Sequence, residues 1–306
     1  MIKIAFSQVF YPCAMGTYIL NALKRRDDVE LWTVGPFTGS WIPWGSPGVG
    51  MHLPDKYIIA PDCPFSQSVI GQQLPSAVLK NKLLWTPDLF IQVDAGWHFL
   101  DRPPGKIVAH VQTDPHVLKA FYRPAISYSD VSFSMQSPYQ EAGEEFLPYA
   151  YDPKIHYPMD IDKEYDACML GLQYAQRTAL VNRLRANGLN VKYEIGIAYD
   201  EYRIEYNKSK VALSWSSLLD TPTRVYEALA MKVALVCNRT QDLENFFVEG
   251  EHYLGFNTLE EAERQVLLLL SDDEKRLQIA EEGYKAVQEH SWDARVQKLL
   301  EVVGLV

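Results

Sequence analysis

The fold is decided by one stretch, Asp220-Thr221-Pro222-Thr223-Arg224-Val225-Tyr226-Glu227-Ala228-Leu229-Ala230-Met231-Lys232-Val233-Ala234-Leu235-Val236. It follows an apolar run, Val211-Ala212-Leu213-Ser214-Trp215, and ends in another, Val233 to Cys237. Strand, loop, helix and strand in that order predict a βαβ unit, with a helix from Thr223 to Met231 starting at the carboxyl edge of a parallel sheet. Such edges bind nucleotides. Two carboxylates and an arginine gather around the loop that opens this helix, which is a ligand-facing arrangement. Glu227, in the early turns, is placed to accept two hydrogen bonds from a vicinal diol such as that of a ribose.

The same alternation extends in both directions, the signature of parallel sheets covered by helices. Strands are expected at Ile2–Phe6, Val29–Val34, Leu89–Val93, Ile107–Val111 and Val131–Met135, with a glycine-opened helix from Gly16 to Arg26 that carries Ile19, Leu20 and Leu23 on one face. Residues Gly35 to Pro87, rich in Gly, Pro and Trp, predict a loop and helix insertion around a binding cleft. A second alternation starts near Asp166. Ala167–Leu170 and Val191–Ile195 read as strands, Tyr174–Ala186 and Asp200–Lys208 as helices.

Composition narrows the function. With 306 residues and 47% hydrophobic content, the chain has room for two full cores. No apolar run approaches the roughly 20 residues of a membrane span. The opening Met1-Ile2-Lys3-Ile4-Ala5-Phe6 reads as a buried strand, so a soluble cytoplasmic protein is expected. Cys13, Cys63, Cys168 and Cys237 are too scattered for a disulfide framework or a zinc site. With 29 basic against 39 acidic residues, a formal charge of −10 disfavours a large nucleic-acid footprint. No P-loop, Ser-His-Asp order or Asp-x-Asp metal pattern occurs, and Phe10-Tyr11-Pro12-Cys13-Ala14-Met15-Gly16 lacks the dinucleotide fingerprint.

Several motifs together resemble a known family. Arg224-Val225-Tyr226-Glu227-Ala228-Leu229-Ala230 is similar to a segment of spore-maturation-type glycosyltransferases. Asp220 and Glu227 resemble the acidic pair of family 4 glycosyltransferases, with six intervening residues where the family has seven. Leu147, Pro148, Asp152 and Pro158 follow that family's interdomain linker. His290-Ser291-Trp292-Asp293 resembles the segment that opens a helix returning to the first domain. The resemblance implies an α/β chain of two Rossmann-like domains, the GT-B architecture. It places an acceptor domain at 1–158, a nucleotide-sugar domain at 159–290, a returning helix at 291–306 and a cleft between the domains.

Under this reading the donor, expected to be a UDP-sugar held without metal or other cofactor, meets residues of the second half. Glu227 takes the ribose hydroxyls. Arg224 clasps a diphosphate oxygen or pairs with Glu227. Arg177, entering a helix after the strand that ends at Gly171, grips the pyrophosphate. Asp220 holds a sugar hydroxyl or caps the helix with Thr221 and Thr223, and Tyr199 flanks the base or packs its loop. In the first half Gly16 faces the cleft, and Asp114, His116 and His110 at a strand end are candidates for positioning the acceptor or taking its proton. Asp94 to His98 form a second wall. Trp41, Trp44 and Trp97 stack on a sugar or anchor the core. The implied reaction is transfer of a sugar to a hydroxyl acceptor, with retention, and with a small-molecule or saccharide acceptor favoured over DNA. A nucleotide-sugar epimerase, a glycosyltransferase acting on hydroxymethylated DNA bases and a non-catalytic nucleotide-sugar-binding protein are the alternatives.

Overall fold

In a computed structural model, which describes every residue except 44–49, 84 and 217, the chain forms two compact units. One comprises Met1–Pro148 and Arg295–Val306, the other Tyr149–Ala294. Most of the linker-like segment beginning at Leu147 therefore belongs to the second unit.

The first unit is built on a seven-stranded parallel sheet. Its strands are β1 (Ile2–Ser7), β2 (Val29–Pro36), β3 (Cys63–Phe65), β4 (Leu89–Val93), β5 (Ile107–Gln112), β6 (Val131–Ser134) and β7 (Glu145–Phe146). They run in the spatial order β7-β6-β5-β4-β1-β2-β3. The order reverses between β1 and β4, so the loops following these two strands diverge and leave a crevice. All five β4 residues are buried, as expected for a strand covered on both faces. Helix α1 (Met15–Lys24) buries Ile19, Leu20 and Leu23, and α2 (Pro115–Tyr128) follows β5. Between 37 and 88 the described residues contain short strands and 3-10 turns but no α-helix, which corrects the expectation of a helix insertion.

The second unit carries a five-stranded parallel sheet. Here β8 (Tyr165–Leu170), β9 (Val191–Glu194), β10 (Ser209–Ser214), β11 (Ala234–Asn238) and β12 (Leu254–Phe256) alternate with helices. These are α3 (Ala175–Ala186), α4 (Tyr199–Asn207), α5 (Thr223–Ala230), α6 (Gln241–Phe246), α7 (Leu259–Ser271) and α8 (Asp273–Val287); α9 (Trp292–Val302) ends the chain. The spatial order β9-β8-β10-β11-β12 reverses between β8 and β10. Ala167, Met169, Val211, Leu213, Val236 and Phe256 pack one face of this sheet against Leu180, Leu184, Val266 and Leu269.

The turn after α5 explains how the opening stretch returns to the sheet. Lys232 adopts φ 56°. Its N–H donates to Leu229 O at 3.0 Å, and the Val233 N–H donates to Ala228 O at 3.2 Å. This paired closure satisfies the last carbonyls of the helix and redirects the chain into β11, with lysine in the position more often held by glycine. Lys232 also pairs with Glu281 on α8 at 2.5 Å.

Candidate functional site

The reversal point of the second sheet gathers most of the expected donor residues. Gly171 ends β8 with φ 121°, and a Cβ there would lie 2.5 Å from Nη2 of Arg224. Glycine therefore does two things at once: it permits the backbone turn, and it lets a guanidinium lie against the strand end. Arg224 is in the first turn of α5. Its Nε and Nη1 are buried, and among the described residues they find no hydrogen-bond partner. Burial disfavours the Arg224 cation, while Tyr206, Tyr202 and Glu227 outweigh it and hold the pKa above the ordinary arginine value.

Arg177 lies beside it, only 6% exposed. Its Nε donates to Trp215 O at 2.6 Å and its Nη1 to Leu172 O at 2.8 Å, so the side chain ties the loop after β8 to the loop after β10. It also stacks on Tyr174, with the guanidinium carbon 4.7 Å from the ring centre. Burial, and then repulsion from Arg224, push its pKa down to about 10. The sequence leaves Arg177 as a grip on ligand or a solvated helix arginine, and its burial removes the second reading. Its two backbone bonds give it a structural duty as well.

Helix α5 begins without a side-chain cap. The residue before it is Pro222 and makes no capping bond. Thr221 pairs with Thr240, and Thr223 Oγ1 donates to Ala150 O at 3.1 Å. The alternative in which Asp220, Thr221 and Thr223 cap the helix is thus absent from its N-terminus. Asp220 instead supports the Arg177 charge electrostatically. Uncapped N–H groups, the positive end of the helix dipole and two guanidiniums converge beside one strand end, an arrangement suited to an anion.

Glu227 is placed otherwise than the sequence suggested. It is 5% exposed and not on an open loop edge. Its Oε2 accepts a 2.6 Å hydrogen bond from the Tyr202 hydroxyl, and Oε1 lies 3.3 Å from Thr223 Oγ1 and 3.6 Å from His156 Nε2. The Asp152 N–H donates to His156 Nδ1 at 3.1 Å, so Nδ1 is an acceptor and the neutral ring carries its proton on Nε2, toward Glu227. Burial lowers the His156 pKa despite Glu227 and Asp152 nearby. Tyr202 and His156 had no role in the sequence reading beyond their place in a helix and a linker. Their distance from Glu227 along the chain hid the contact. The i to i+4 spacing of Thr223 and Glu227 on one helix did announce that pair.

Tyr199 begins α4 with φ 53°, an unusual backbone for an aromatic residue, just after Gly196 at φ 85°. It is half-buried at the carboxyl end of β9.

In the first unit, β5 ends in Thr113 and Asp114, and α2 starts behind them. The Asp114 N–H donates to the Tyr122 hydroxyl at 2.9 Å, and that hydroxyl donates to Asp94 Oδ1 at 3.1 Å. Asp94 ends β4 with φ 66°. The phenol of Tyr11 lies in the same group, its ionisation disfavoured by burial and then by Asp94 and Asp114. His116, in the first turn of α2, is half-buried with its ring 5.8 Å from that of Tyr139. His110 is corrected. It points into the core at 0% exposure, and burial, then His98, push its pKa down to about 3, so it has neither the access nor the basicity to take an acceptor's proton. Alternation along β5 places it on the inner face. Gly16, by contrast, lines a cavity at the β1/β4 reversal and packs so closely that a Cβ would lie 2.1 Å from Gln8 Oε1. Trp97 is core, at 1% exposure; Trp41 packs on His52; Trp44 lies outside the described residues.

Residues 159–301 match the family described as glycosyl transferase-like. The whole chain superposes on solved GT-B glycosyltransferases. HepE from Anabaena, in complex with UDP-glucose, shares 10% identity with a TM-score of 0.68, each chain covered over 100% of its length. An α-glucosyltransferase in complex with UDP and a DNA 13-mer containing a hydroxymethyluracil base shares 12% identity with a TM-score of 0.66, each chain 99% covered. Sucrose-phosphate synthase from Thermosynechococcus elongatus shares 11% identity with a TM-score of 0.63, over 99% of this chain and 98% of that one. The chain has the GT-B fold. No curated protein matches it in sequence. At these identities the solved structures establish the fold of the chain and nothing further. No helix among its described residues is long and apolar enough to cross a membrane.

Proposed function

We propose that the chain is a glycosyltransferase that takes its sugar from a nucleoside-diphosphate sugar, with UDP as the nucleotide, and passes it to the hydroxyl of an uncharged acceptor. The observation that carries the donor half is the pair Arg177 and Arg224. Two guanidiniums lie side by side in a buried place, and among the described residues neither makes an ion pair with a carboxylate. Glu227 and Asp220 favour these charges from a distance, but neither sits at ion-pairing distance. A diphosphate, which carries at least two negative charges, supplies the missing compensation, and the uncapped start of α5 adds N–H donors. That HepE and the α-glucosyltransferase were solved with UDP or UDP-glucose supports the choice of nucleotide.

Glu227 then serves the ribose. Its carboxylate, already oriented by Tyr202 and Thr223, has lone pairs left for the diol. In the transfer, the acceptor oxygen bonds to the anomeric carbon as the bond from that carbon to the diphosphate oxygen breaks. The departing diphosphate takes up the hydroxyl proton. Arg224, Arg177 and the helix start stabilise the charge that develops on it, which is why we propose a reaction without bound metal. Retention of configuration is part of the proposal on the strength of the family resemblance. A cytoplasmic location also belongs to it, since none of the four cysteines forms a disulfide. The low basic content favours a small-molecule or saccharide acceptor over DNA.

Calorimetry with UDP tests the donor half. Binding should be clear for the native chain and roughly tenfold or more weaker for Arg224→Ala, the consequence of losing one or more charged hydrogen bonds. Equal affinity in the two proteins refutes the assignment. Turnover of UDP-glucose in the presence of a chelator tests the metal-free step, and loss of activity restored by magnesium or manganese would overturn it.

A further inference from the structure

The carboxyl edge of the first sheet holds a cavity of 570 Å³ at the point where strand order reverses between β1 and β4. That volume falls within the range of pockets that hold small organic ligands. Three of the residues that line it are glycines, Gly16, Gly71 and Gly96, so backbone approaches the space directly. Met15, Ile70, Leu118 and Phe121 supply an apolar wall. Phe121 is 62% exposed and Ile70 39%, although burial would favour side chains of this size and apolarity. No lysine or arginine is among the described residues that line the cavity.

Asp94 is the one carboxylate in the described lining. One of its oxygens, Oδ1, is occupied: it accepts from the Ala95 N–H at 2.7 Å and from the Tyr122 hydroxyl at 3.1 Å. Those two bonds fix the carboxylate, and the left-handed backbone at Asp94 aims it from the strand end. Among the described residues Oδ2 receives no hydrogen bond. It is therefore left to accept from a ligand. An anionic ligand is disfavoured by Asp94 and meets no basic side chain. A saccharide would present many hydroxyls to a wall that offers few partners, leaving them unsatisfied.

We infer that this cavity is an acceptor pocket for an uncharged aryl alcohol, whose ring lies on Phe121, Leu118 and Ile70 and whose hydroxyl donates to Asp94 Oδ2. The inference rests on the reading of the chain as a transferase to hydroxyl acceptors and names the class of acceptor.

The test uses the full chain with 2-naphthol as probe and 2-methoxynaphthalene, which lacks the donor proton, as its control. Binding is followed by fluorescence titration, and UDP binding by calorimetry on the same samples. Asp94→Asn tolerates the left-handed backbone and keeps Oδ1, so folding is preserved while the Oδ2 acceptor becomes an amide donor. Leu118→Trp fills the cavity from the half-buried face of α2. We expect the native chain to bind 2-naphthol at least tenfold more tightly than the methoxy compound, Asp94→Asn to erase that preference, and Leu118→Trp to abolish binding of both. UDP affinity and melting temperature should stay unchanged in both variants. No binding of 2-naphthol by the native chain overturns the inference, as does binding that Leu118→Trp leaves intact, or tighter binding of maltose or of 2-naphthylamine. If UDP binds and 2-naphthol does not, the pocket assignment fails and the donor reading stands. If 2-naphthol binding follows the variants but UDP does not bind, the donor reading fails and the pocket stands.

Discussion

The two sheets of this chain reverse their strand order in the same way and put opposite chemistry at the reversal. In the second unit the crevice beside β8 and β10 is cationic: Arg177 and Arg224, a glycine that lets one of them close on the strand end, and a helix start without a side-chain cap. In the first unit the crevice beside β1 and β4 is largely apolar, with Asp94, Tyr11 and Gln8 as its polar side chains. The lesson is that a βαβ reversal provides a place without specifying a ligand. The side chains that follow the strand ends set the chemistry of that place, cationic in one unit and largely apolar in the other.

The largest effect that bears on this contrast should come from Arg224. Removing it takes the unpaired buried cation from the second crevice, and UDP binding should fall by roughly tenfold to a hundredfold, as expected for one or two charged hydrogen bonds. Binding of 2-naphthol should not change. A parallel loss of both ligands in calorimetry would erase the distinction between the two crevices.

Gly171→Ala attacks the same crevice through the backbone. The φ of 121° and the 2.5 Å approach to Arg224 Nη2 leave no room for a methyl group. Strain of about 1–3 kcal/mol should appear as a lower melting temperature, and displacement of the guanidinium should weaken UDP binding by several-fold. Full UDP affinity together with a native melting curve would show that the close approach is incidental.

Glu227→Gln separates ligand contact from burial. Because Glu227 lies within a network with Tyr202, Thr223 and His156, the change should weaken UDP binding by about tenfold and also lower the melting temperature. An effect on binding without any effect on melting would place the carboxylate at an open edge after all.

Stability should respond to pH through the buried imidazoles. His110 has its folded pKa lowered from 6.5 to about 3 by burial, and His98 and His156 are lowered for the same reason. Below 6.5 the unfolded chain binds protons that the folded chain refuses, so their contribution is complete above 6.5 and is lost as pH falls toward about 3. His110→Gln should make the denaturant midpoint less steep in pH across that window. An unaltered slope would deny His110 its buried neutral state.

The smallest effect expected is that of salt. UDP binding, which relies on two cations, should weaken gradually as ionic strength rises, whereas 2-naphthol binding should stay nearly level. Equal salt slopes would mean that the two crevices do not differ electrostatically.

The alternation of apolar runs and helical patterns was enough to give both parallel sheets, because burial on two faces forces continuous hydrophobic strands such as Leu89–Val93. It also put Gly171, Arg177 and Arg224 near strand ends, since a residue that follows a strand in a βαβ unit can hardly lie elsewhere. The span from 37 to 88 misled, because proline and glycine report only that regular structure is interrupted, not what replaces it. His110 shows the limit of period-two reasoning: alternation says that neighbours face opposite sides, and packing on the far side then decides which side is core. Tyr202 and His156 lie 25 and 71 positions from Glu227, and no local rule links residues at such separations. Sequence alone thus determined the architecture and which residues follow the strand ends, since both follow from local periodicity. Tertiary structure alone decided that Glu227 is buried, that Arg177 also binds backbone, and that one oxygen of Asp94 is spoken for, because each depends on which distant atoms folding brings within hydrogen-bond reach.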